Sequence, residues 1–288
     1  MIPTYNRVDF IKTAIYSAIG QTYPNYEIIV VDDGSTDNTE NVISSIRHPR
    51  LFYYKVKNGE RAAARNFGVT KATGDYVTFL DSDDFVLPHH FQTAHDFIKQ
   101  HNGPEIFYQL NNFLDVKHRE INRAHPIKGD FNKKLIVYGN LMSCIGVFVK
   151  TEVVREHPFN EDRELSGTED HELWLRLAGR YTIRYCNVLT SSMMQHDSRS
   201  VMNVNRDKLI KRLELFLQYI LSDEAFSKKY APLIPALKAQ AWSYLSLHFA
   251  LTDKNRKDSF YYFRKALWMY PGFVLQKRFY AILKHLIS

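Results

Sequence analysis

Carboxylates cluster at the ends of two apolar runs of the sequence. The run "EIIVVDDGS" ends in Asp32 and Asp33, and the run "YVTFLDSDD" ends in Asp81, Asp83 and Asp84. Crowded carboxylates repel one another and lose hydration, so each cluster needs caps, basic partners or a cation. Asp81 and Asp83 have the spacing to share a divalent cation with phosphate oxygens. This spacing alone is weak evidence, because Asp81 can equally cap a turn and Asp84 a helix.

Two further groups have side chains suited to a nucleotide. Asp33 can accept hydrogen bonds from a base N–H or from ribose hydroxyls, or it can cap the helix that follows. Arg61 and Arg65, in "NGERAAARNFG", suit phosphate or base-edge contacts, and the alternative is a solvated helix face.

The segments "GTEDHELW" and "QHDSRSV" contain the remaining candidates. Glu169 and Asp170 follow Thr168, a candidate N-cap, and acids in a first helical turn are favoured by the helix dipole. The functional alternative is a general base for an alcohol. His196 and Arg199 form a basic pair that can close over a diphosphate, although a lone histidine is more often structural.

The elements around these residues alternate between strand and helix. Apolar residues recur at helical spacing from Val8 to Ala18, and the apolar runs before both acidic clusters read as buried strands. This alternation predicts an α/β fold with a mainly parallel central sheet flanked by helices. Because ligands bind beyond the carboxyl ends of such strands, we expect both acidic clusters to meet at one cleft.

The composition is that of a folded protein. The chain has 288 residues, is 45% hydrophobic and carries a formal charge of +7, which allows one large domain with an appendage and suits polyanionic partners. Cys144 and Cys186 show no metal-type spacing, so we expect reduced thiols in a cytosolic chain. No apolar run reaches the ~18 residues of a spanning helix.

From Asn205 onward the pattern changes to long amphipathic helices without strand signals. The last two resemble one tetratricopeptide-like hairpin, but one unit makes no array, and a helical cap is the expected form. We therefore predict a first domain over 1–203 and an all-helical extension over 204–288. In 272–288 one helical side carries six apolar residues, namely Val274, Leu275, Phe279, Ile282, Leu283 and Leu286. That side either lies on an anionic membrane or packs on the preceding helices.

The order of four segments resembles the family-2 glycosyltransferases. These are "IPTYNR", "VVDDGSTDNT", "AARNFGVTKATGDYVTFLDSDD" and "GTEDHELWLRL", and the resemblance covers about residues 1–200. Members of this family are inverting, sugar-nucleotide-dependent enzymes with the GT-A fold. They normally have a strand before the "PTYNR" segment. This chain starts inside that segment, so we expect a sheet that lacks one central or near-central strand.

The resemblance implies transfer of a sugar from a nucleotide-diphosphate donor, a UDP-sugar first, to a hydroxyl of a glycan or lipid-linked acceptor. It places Asp170 as the general base, and Asp81 and Asp83 as ligands of Mg²⁺ or Mn²⁺. The expected donor-binding residues are Thr4, Tyr5, Asp33, Arg65, Asn66, Asp81, His196 and Arg199. The implied setting is polysaccharide or cell-surface glycan synthesis in the cytoplasm, with peripheral membrane contact and no nucleic acid partner.

Two readings from other classes stay open. A signalling receiver domain also ends a strand in an acidic pair. It further needs a lone phosphorylatable aspartate and a later strand-end Lys-Pro, and neither can be placed in this sequence. The other reading is a non-catalytic nucleotide-binding or scaffold protein that uses its helical extension to bind partners.

Overall fold

The computed structural model of the chain describes residues 1–123, 128–195, 205–252 and 255–287. The chain divides into two compact units. The first comprises Met1–Gly129, Met142–Leu173 and Tyr181–Asn203, and the second comprises Asp130–Leu141, Trp174–Arg180 and Val204–Ser288. Two segments that precede residue 203 are thus part of the helical unit, and the predicted domain division at that residue remains a prediction.

The first unit begins with a parallel three-stranded sheet. Its strands lie in the order β1 (Ile2–Thr4), β2 (Ile28–Asp32) and β3 (Leu51–Lys55). The helices α1 (Ile11–Ile19), α2 (Thr39–Ser44) and α3 (Glu60–Lys71) alternate with them along the chain. All five residues of β2 are buried, as the continuous apolar run predicts for a strand covered on both faces.

The same unit contains a larger, mixed sheet. Its strands are β4 (Tyr76–Thr78), β5 (Phe85–Val86), β6 (Ile106–Leu114), β7 (Glu120–Arg123), β8 (Val147–Lys150) and β9 (Arg184–Met194). The spatial order is β4-β8-β6-β9-β5, with β7 beside β6. Among the described strands of this sheet, only β6 and β9 pair in parallel. The helices of this part are α4 (His90–Gln100), α6 (Thr151–Glu156) and the start of α7 (Glu169–Arg180). The predicted α/β class is confirmed. The structure also contains antiparallel strand pairs, which the sequence did not predict.

The expectation of a missing strand near the "PTYNR" segment is wrong, because that segment supplies β1 itself. Ile2 lies opposite Val30 of β2, and Thr4 lies opposite Asp32. Ile2 is buried in the core that α1 and β2 share. The amide of Leu80 donates to the carbonyl of Met1 at 2.9 Å, so β1 also contacts the chain that follows β4. A strand of three residues therefore occupies this position in the sheet.

The second unit is helical. It contains α5 (Phe131–Tyr138), the end of α7, α8 (Arg206–Ser222), α9 (Glu224–Lys229), α10 (Ile234–Leu251), α11 (Arg256–Met269) and α12 (Lys277–Ile287). Both α11 and α12 pack against α10. This confirms the helices that the sequence indicates after Asn205. Nowhere in the described ranges is a helix both long and apolar enough to cross a membrane.

The apolar side predicted in 272–288 turns mainly inward. Ile282 is fully buried, and the ring of Phe279 lies 5.2 Å from that of Phe263 and 5.7 Å from that of Phe273. Leu275 departs from this pattern with 84% of its surface exposed. Most of this apolar side therefore packs on the preceding helices, and the structure does not support its contact with a membrane.

We expect Ile2→Ala to lower the free energy of unfolding by about 2–5 kcal/mol, because the truncation leaves a cavity in a closed core. Denaturant unfolding measures the change. Val116→Ala is the matched control, since Val116 is 66% exposed and should lose little stability. Equal stability of the two variants would show that β1 contributes nothing to the core.

Candidate active site

A cavity of about 550 Å³ lies at the carboxyl ends of β1 and β2, beside the segment that follows β4. It is formed entirely by residues of the first unit. Its lining includes the predicted residues Thr4, Tyr5, Asp33, Arg65, Asp81, Asp83 and Asp170. The expectation that both acidic clusters meet at one cleft is confirmed.

The carboxyl ends of β1 and β2 form one side of the cavity. The Asp33 amide donates to the Thr4 carbonyl at 2.8 Å, and the Asp33 carboxylate accepts from the Gly59 amide at 2.7 Å and from Asn58 Nδ2 at 3.0 Å. Burial raises the pKa of Asp33, and the amide donors only partly offset this. Tyr5 is 46% exposed, while the buried Thr4 hydroxyl has no hydrogen-bond partner among the described residues.

The loop after β1 is held against the loop after β2 by Asn6. The backbone amide of Asn6 donates to Ser35 Oγ at 2.9 Å, and its side-chain Oδ1 accepts from the backbone amide of Thr36 at 2.8 Å. Asn6 has a φ of 50°, a left-handed conformation that asparagine tolerates better than most residues. Tyr5 therefore extends from a loop with a defined position.

Arg65, on α3, connects two acidic parts of the cavity wall. Its Nη2 lies 2.8 Å from Asp81 Oδ1, and its Nη1 lies 2.9 Å from Glu169 Oε1. The side chains of Arg65 and Glu169 are almost completely buried, whereas that of Asp81 is 31% exposed. Burial opposes the charge of the guanidinium, but the anionic groups around it raise the pKa of Arg65 well above its ordinary value.

Neighbouring side chains support this arginine. The ring of Phe159 lies 5.3 Å from the Arg65 guanidinium carbon, a cation–π distance. Asn66 fixes the Phe159 backbone, since its Nδ2 donates to the Phe159 carbonyl and its Oδ1 accepts from the Phe159 amide, both at 2.9 Å. Asn66 therefore holds the residue that packs on Arg65, and it is not part of the cavity lining.

The first turn of α7 contributes Glu169 and Asp170 to the cavity lining, and the two acids have different partners. Glu169 Oε2 accepts from the Gly167 amide at 2.6 Å, while its Oε1 pairs with Arg65, so both of its oxygens have partners. Asp170 lines the cavity, and its Oδ2 accepts from the Cys144 thiol at 4.0 Å. Burial raises the pKa of Cys144 well above its ordinary range, which keeps the thiol neutral. Both acids line the cavity, and Arg65 holds Glu169 within its wall.

The other carboxylates of the two clusters separate into structural and cavity-facing groups. Asp32 accepts from the Ser35 amide and from the Tyr53 hydroxyl, at 2.7 and 2.9 Å. Asp84 accepts from the Met194 amide at 2.8 Å and ties β9 to the chain before β5. The alternative role of Asp84 as a helix cap is wrong for α4, whose N-cap is His89. Asp83 lines the cavity beside Asp81.

Some cavity residues carried no signal in the sequence. Ser143 and Cys144 line the cavity from a short connection that shows no motif. Arg7 and Gly167 belong to the segments "IPTYNR" and "GTEDHELW" but were not assigned a role. Arg61, which the sequence left undecided, lies 3.8 Å from Glu169 through its Nε. His196 and Arg199 lie outside the described residues, and their predicted role stays a prediction.

The charged lining is predominantly acidic. Its carboxylates outnumber its guanidinium groups by six to three; the former are Asp33, Glu60, Asp81, Asp83, Glu169 and Asp170, and the latter are Arg7, Arg61 and Arg65. In the part of the chain that is described, no group of three or more metal-ligating side chains could hold a metal ion by itself. An anionic ligand would therefore meet more carboxylates than guanidinium groups in this lining.

Residues 1–150 match the family model described as glycosyl transferase family 2, which is more than half of the chain. The chain belongs to this family. An uncharacterized glycosyltransferase of Rickettsia conorii is 26% identical over 285 residues, which are 96% of this chain and 44% of the relative. The Escherichia coli UDP-Glc:alpha-D-GlcNAc-diphosphoundecaprenol beta-1,3-glucosyltransferase WfaP is 31% identical over 183 residues, 62% of this chain and 69% of WfaP. The chain thus spans less than half the length of its Rickettsia conorii relative.

Solved structures confirm the GT-A fold of this family-2 chain. Staphylococcus aureus TarS 1-349, in complex with UDP-GlcNAc, has a TM-score of 0.69 at 18% identity, covering 99% of this chain and 87% of that one. The mannosyltransferase PcManGT from Pyrobaculum calidifontis, in complex with GDP-Man and Mn²⁺, has a TM-score of 0.56 at 19% identity, covering 99% of this chain and 83% of the other.

We expect Arg65→Met to lower the free energy of unfolding by about 3–5 kcal/mol, because it leaves Glu169 buried without its cation. Arg65→Lys should lose less, since it keeps the charge but not the fork that reaches both acids. Urea denaturation measures both variants. Arg61→Met is the control, because Arg61 lies farther from Glu169 and is partly exposed. Indistinguishable losses for Arg65→Met and Arg61→Met would show that Arg65 does not organise the site.

Proposed function

We propose that this family-2 chain is an inverting, metal-assisted glycosyltransferase. It moves a sugar from a nucleotide-diphosphate donor, a UDP-sugar first, to a hydroxyl of a glycan or lipid-linked acceptor. The observation that carries the proposal is the cavity itself. It brings together a buried carboxylate beside an exposed tyrosine, a pair of strand-end aspartates and a helix-borne aspartate, each of which has a separate part in such a reaction.

The side formed by Thr4, Tyr5 and Asp33 would bind the nucleoside. The buried hydroxyl of Thr4 has no partner in the described structure, and a ribose or base would satisfy it. The Asp33 carboxylate suits a base N–H, and the exposed ring of Tyr5 suits stacking on a base. TarS in complex with UDP-GlcNAc supports a UDP-sugar as the donor.

The acidic balance of the cavity supports a divalent cation. A diphosphate would meet more carboxylates than guanidinium groups there, and Mg²⁺ or Mn²⁺ would reverse that local charge. Asp83 would be its principal protein ligand. Asp81 would contribute less, because one of its oxygens is already paired with Arg65. A site with only one or two protein ligands is typical of a cation that takes its other oxygen ligands from phosphate and water. When bound, the cation would act as a Lewis acid for the departing diphosphate.

Asp170 would act as the general base. Its carboxylate would take the proton of the acceptor hydroxyl while that oxygen forms a bond to the anomeric carbon. Attack from the face opposite the diphosphate would break the bond between the anomeric carbon and the diphosphate oxygen, and the configuration would invert. Arg65 would keep the base in place indirectly, since it anchors Glu169, the residue before Asp170.

The class of acceptor and the cellular location of the reaction are inferred from the family and its relatives. WfaP acts on a diphosphoundecaprenol-linked sugar by its name, which supports a lipid-linked or glycan acceptor in cell-envelope polysaccharide synthesis. Such acceptors are met at the inner face of the membrane, and we place the reaction in the cytoplasm, at or near that face. Nucleotide-sugar hydrolysis across a panel of UDP- and GDP-sugars would identify the donor. If no donor in such a panel is turned over or bound, with or without Mn²⁺, the non-catalytic scaffold reading replaces this proposal.

Asp83→Ala should abolish metal-dependent turnover and weaken the binding of UDP mainly when Mn²⁺ is present. Calorimetric titration of UDP with and without Mn²⁺ measures the effect. Asp75→Ala is the control, because Asp75 is an exposed carboxylate outside the cavity lining. Full metal-dependent activity in Asp83→Ala would rule out Asp83 as the metal ligand.

Asp170→Asn should reduce kcat by roughly 10²–10⁴-fold while the affinity for UDP changes little, because the base faces the acceptor. Steady-state kinetics and UDP titration separate the two effects. Glu152→Gln, an isosteric change at an exposed acid of α6, controls for charge and should keep wild-type kcat. A variant that loses UDP affinity but keeps kcat would place Asp170 in the nucleotide pocket.

A further inference from the structure

The positive charge of the chain is concentrated in its C-terminal part. Residues 204–288 contain 15 lysines and arginines and 6 acidic residues, a formal charge of +9, so residues 1–203 carry −2. No acidic residue follows Asp258 in the sequence. The proposed reaction at the acidic cavity gives no reason for this distribution.

The helix α11 exposes cations and aromatic rings along one side. Lys257, Tyr261, Arg264 and Trp268 are all exposed, and their spacing places them on one face of the helix. Trp268 is 82% exposed and Tyr261 is 58% exposed. The other two tryptophans, Trp174 and Trp242, are buried, so the exposure of Trp268 is a local feature.

The helix α12 repeats this arrangement. Its exposed residues Lys277, Tyr280, Lys284 and Ile287 share one face, opposite the buried Ile282. Tyr280 is 60% exposed and Ile287 is 76% exposed. Leu275, just before the helix, is 84% exposed. This face differs from the apolar side that the sequence singled out, which packs inward.

The chemistry of these faces favours a lipid surface over other occupants. Two copies of such a basic face would repel each other, and lysine is depleted from protein interfaces. Nucleic acid would use the cations and aromatic rings but would gain little from Leu275 and Ile287, since stacking needs a π-face. Tyrosine and tryptophan next to lysine and arginine, with projecting aliphatic side chains, match the boundary between headgroups and acyl chains.

We propose that the exposed faces of α11 and α12 dock on an anionic lipid bilayer. Trp268, Leu275, Tyr280 and Ile287 enter the boundary between headgroups and acyl chains. Lys257, Arg264, Lys277 and Lys284 contact the anionic headgroups, where each cation adds to binding and salt weakens it. This surface lies wholly in the second unit and goes beyond the proposed transferase reaction, so vesicle binding can be measured whether or not a donor is known.

The test is flotation of the full chain with vesicles of phosphatidylcholine alone and of phosphatidylcholine mixed with phosphatidylglycerol. We expect binding only to the mixed vesicles, with a loss as salt is added. Tryptophan emission should shift to the blue on binding, because Trp268 is the exposed tryptophan. Trp268→Phe should remove that shift while leaving flotation largely intact.

Two double variants separate charge from insertion. Lys277→Glu with Lys284→Glu should weaken binding at least about tenfold, since each lysine contributes and each glutamate repels. Lys208→Glu with Lys228→Glu changes the net charge equally at exposed positions of α8 and α9, and should bind almost like the wild type. Leu275→Ser with Ile287→Ser should also weaken binding without changing the melting temperature, because both side chains are exposed.

Three outcomes would overturn the proposal. The first is equal loss in both charge variants, which means nonspecific attraction. The second is unchanged binding in Leu275→Ser with Ile287→Ser, which means adsorption without insertion. The third is absence of flotation in a folded chain. A gel shift with double-stranded DNA and sedimentation of the chain alone would then show whether nucleic acid or a second copy binds this face instead.

Discussion

The buried guanidinium of Arg65 is the interaction on which the rest of the site depends. It contacts one carboxylate from the chain after β4 and one from the start of α7, two segments far apart in the sequence. A buried ion pair is costly to form and more costly to break, because the remaining charge stays desolvated. The positions of Asp81 and Glu169 are therefore coupled through one side chain.

This coupling explains why so many carboxylates are tolerated around one cavity. Asp32 and Asp84 are satisfied by main-chain amides, Glu169 by Arg65 and the Gly167 amide, and Asp33 by the Asn58–Gly59 turn. What faces the cavity is then a small set of acids in defined positions. In the proposed reaction these acids divide between a cation, the nucleoside and the proton of the acceptor, and Arg65 itself stays in the wall.

Periodicity and topology made the central part of the fold readable from the sequence. The continuous apolar run that ends in Asp32 predicts a strand buried on both faces, and the carboxyl ends of parallel strands share one edge of the sheet. This pattern predicts that Asp33, Asp81 and Asp83 lie at one cleft, as the cavity lining confirms. The sequence pattern did not predict the strand β1, because three residues are too few for a periodic signal. The pairing of β1 with β2 and the contact of Met1 with Leu80 are tertiary interactions.

Contacts between distant residues account for the other differences. The pairing of Arg65 with Glu169 spans 104 positions, and no local pattern distinguishes it from a solvated helix face. The role of Asn66 depends in the same way on Phe159, and the lining by Cys144 depends on a turn without a motif. In α12 the periodicity identified the right helix, but the choice between an inward and an outward apolar side depended on the neighbours of Phe279.

The most direct test of the central claim is a crystal structure of the chain with UDP and Mn²⁺. Arg65 should keep both ion pairs, with Nη1 near Glu169 and Nη2 near Asp81, while Asp83 contacts the manganese and UDP lies against Thr4, Tyr5 and Asp33. The account would be contradicted if Arg65 left Glu169 to bind the diphosphate, or if manganese bound away from Asp83.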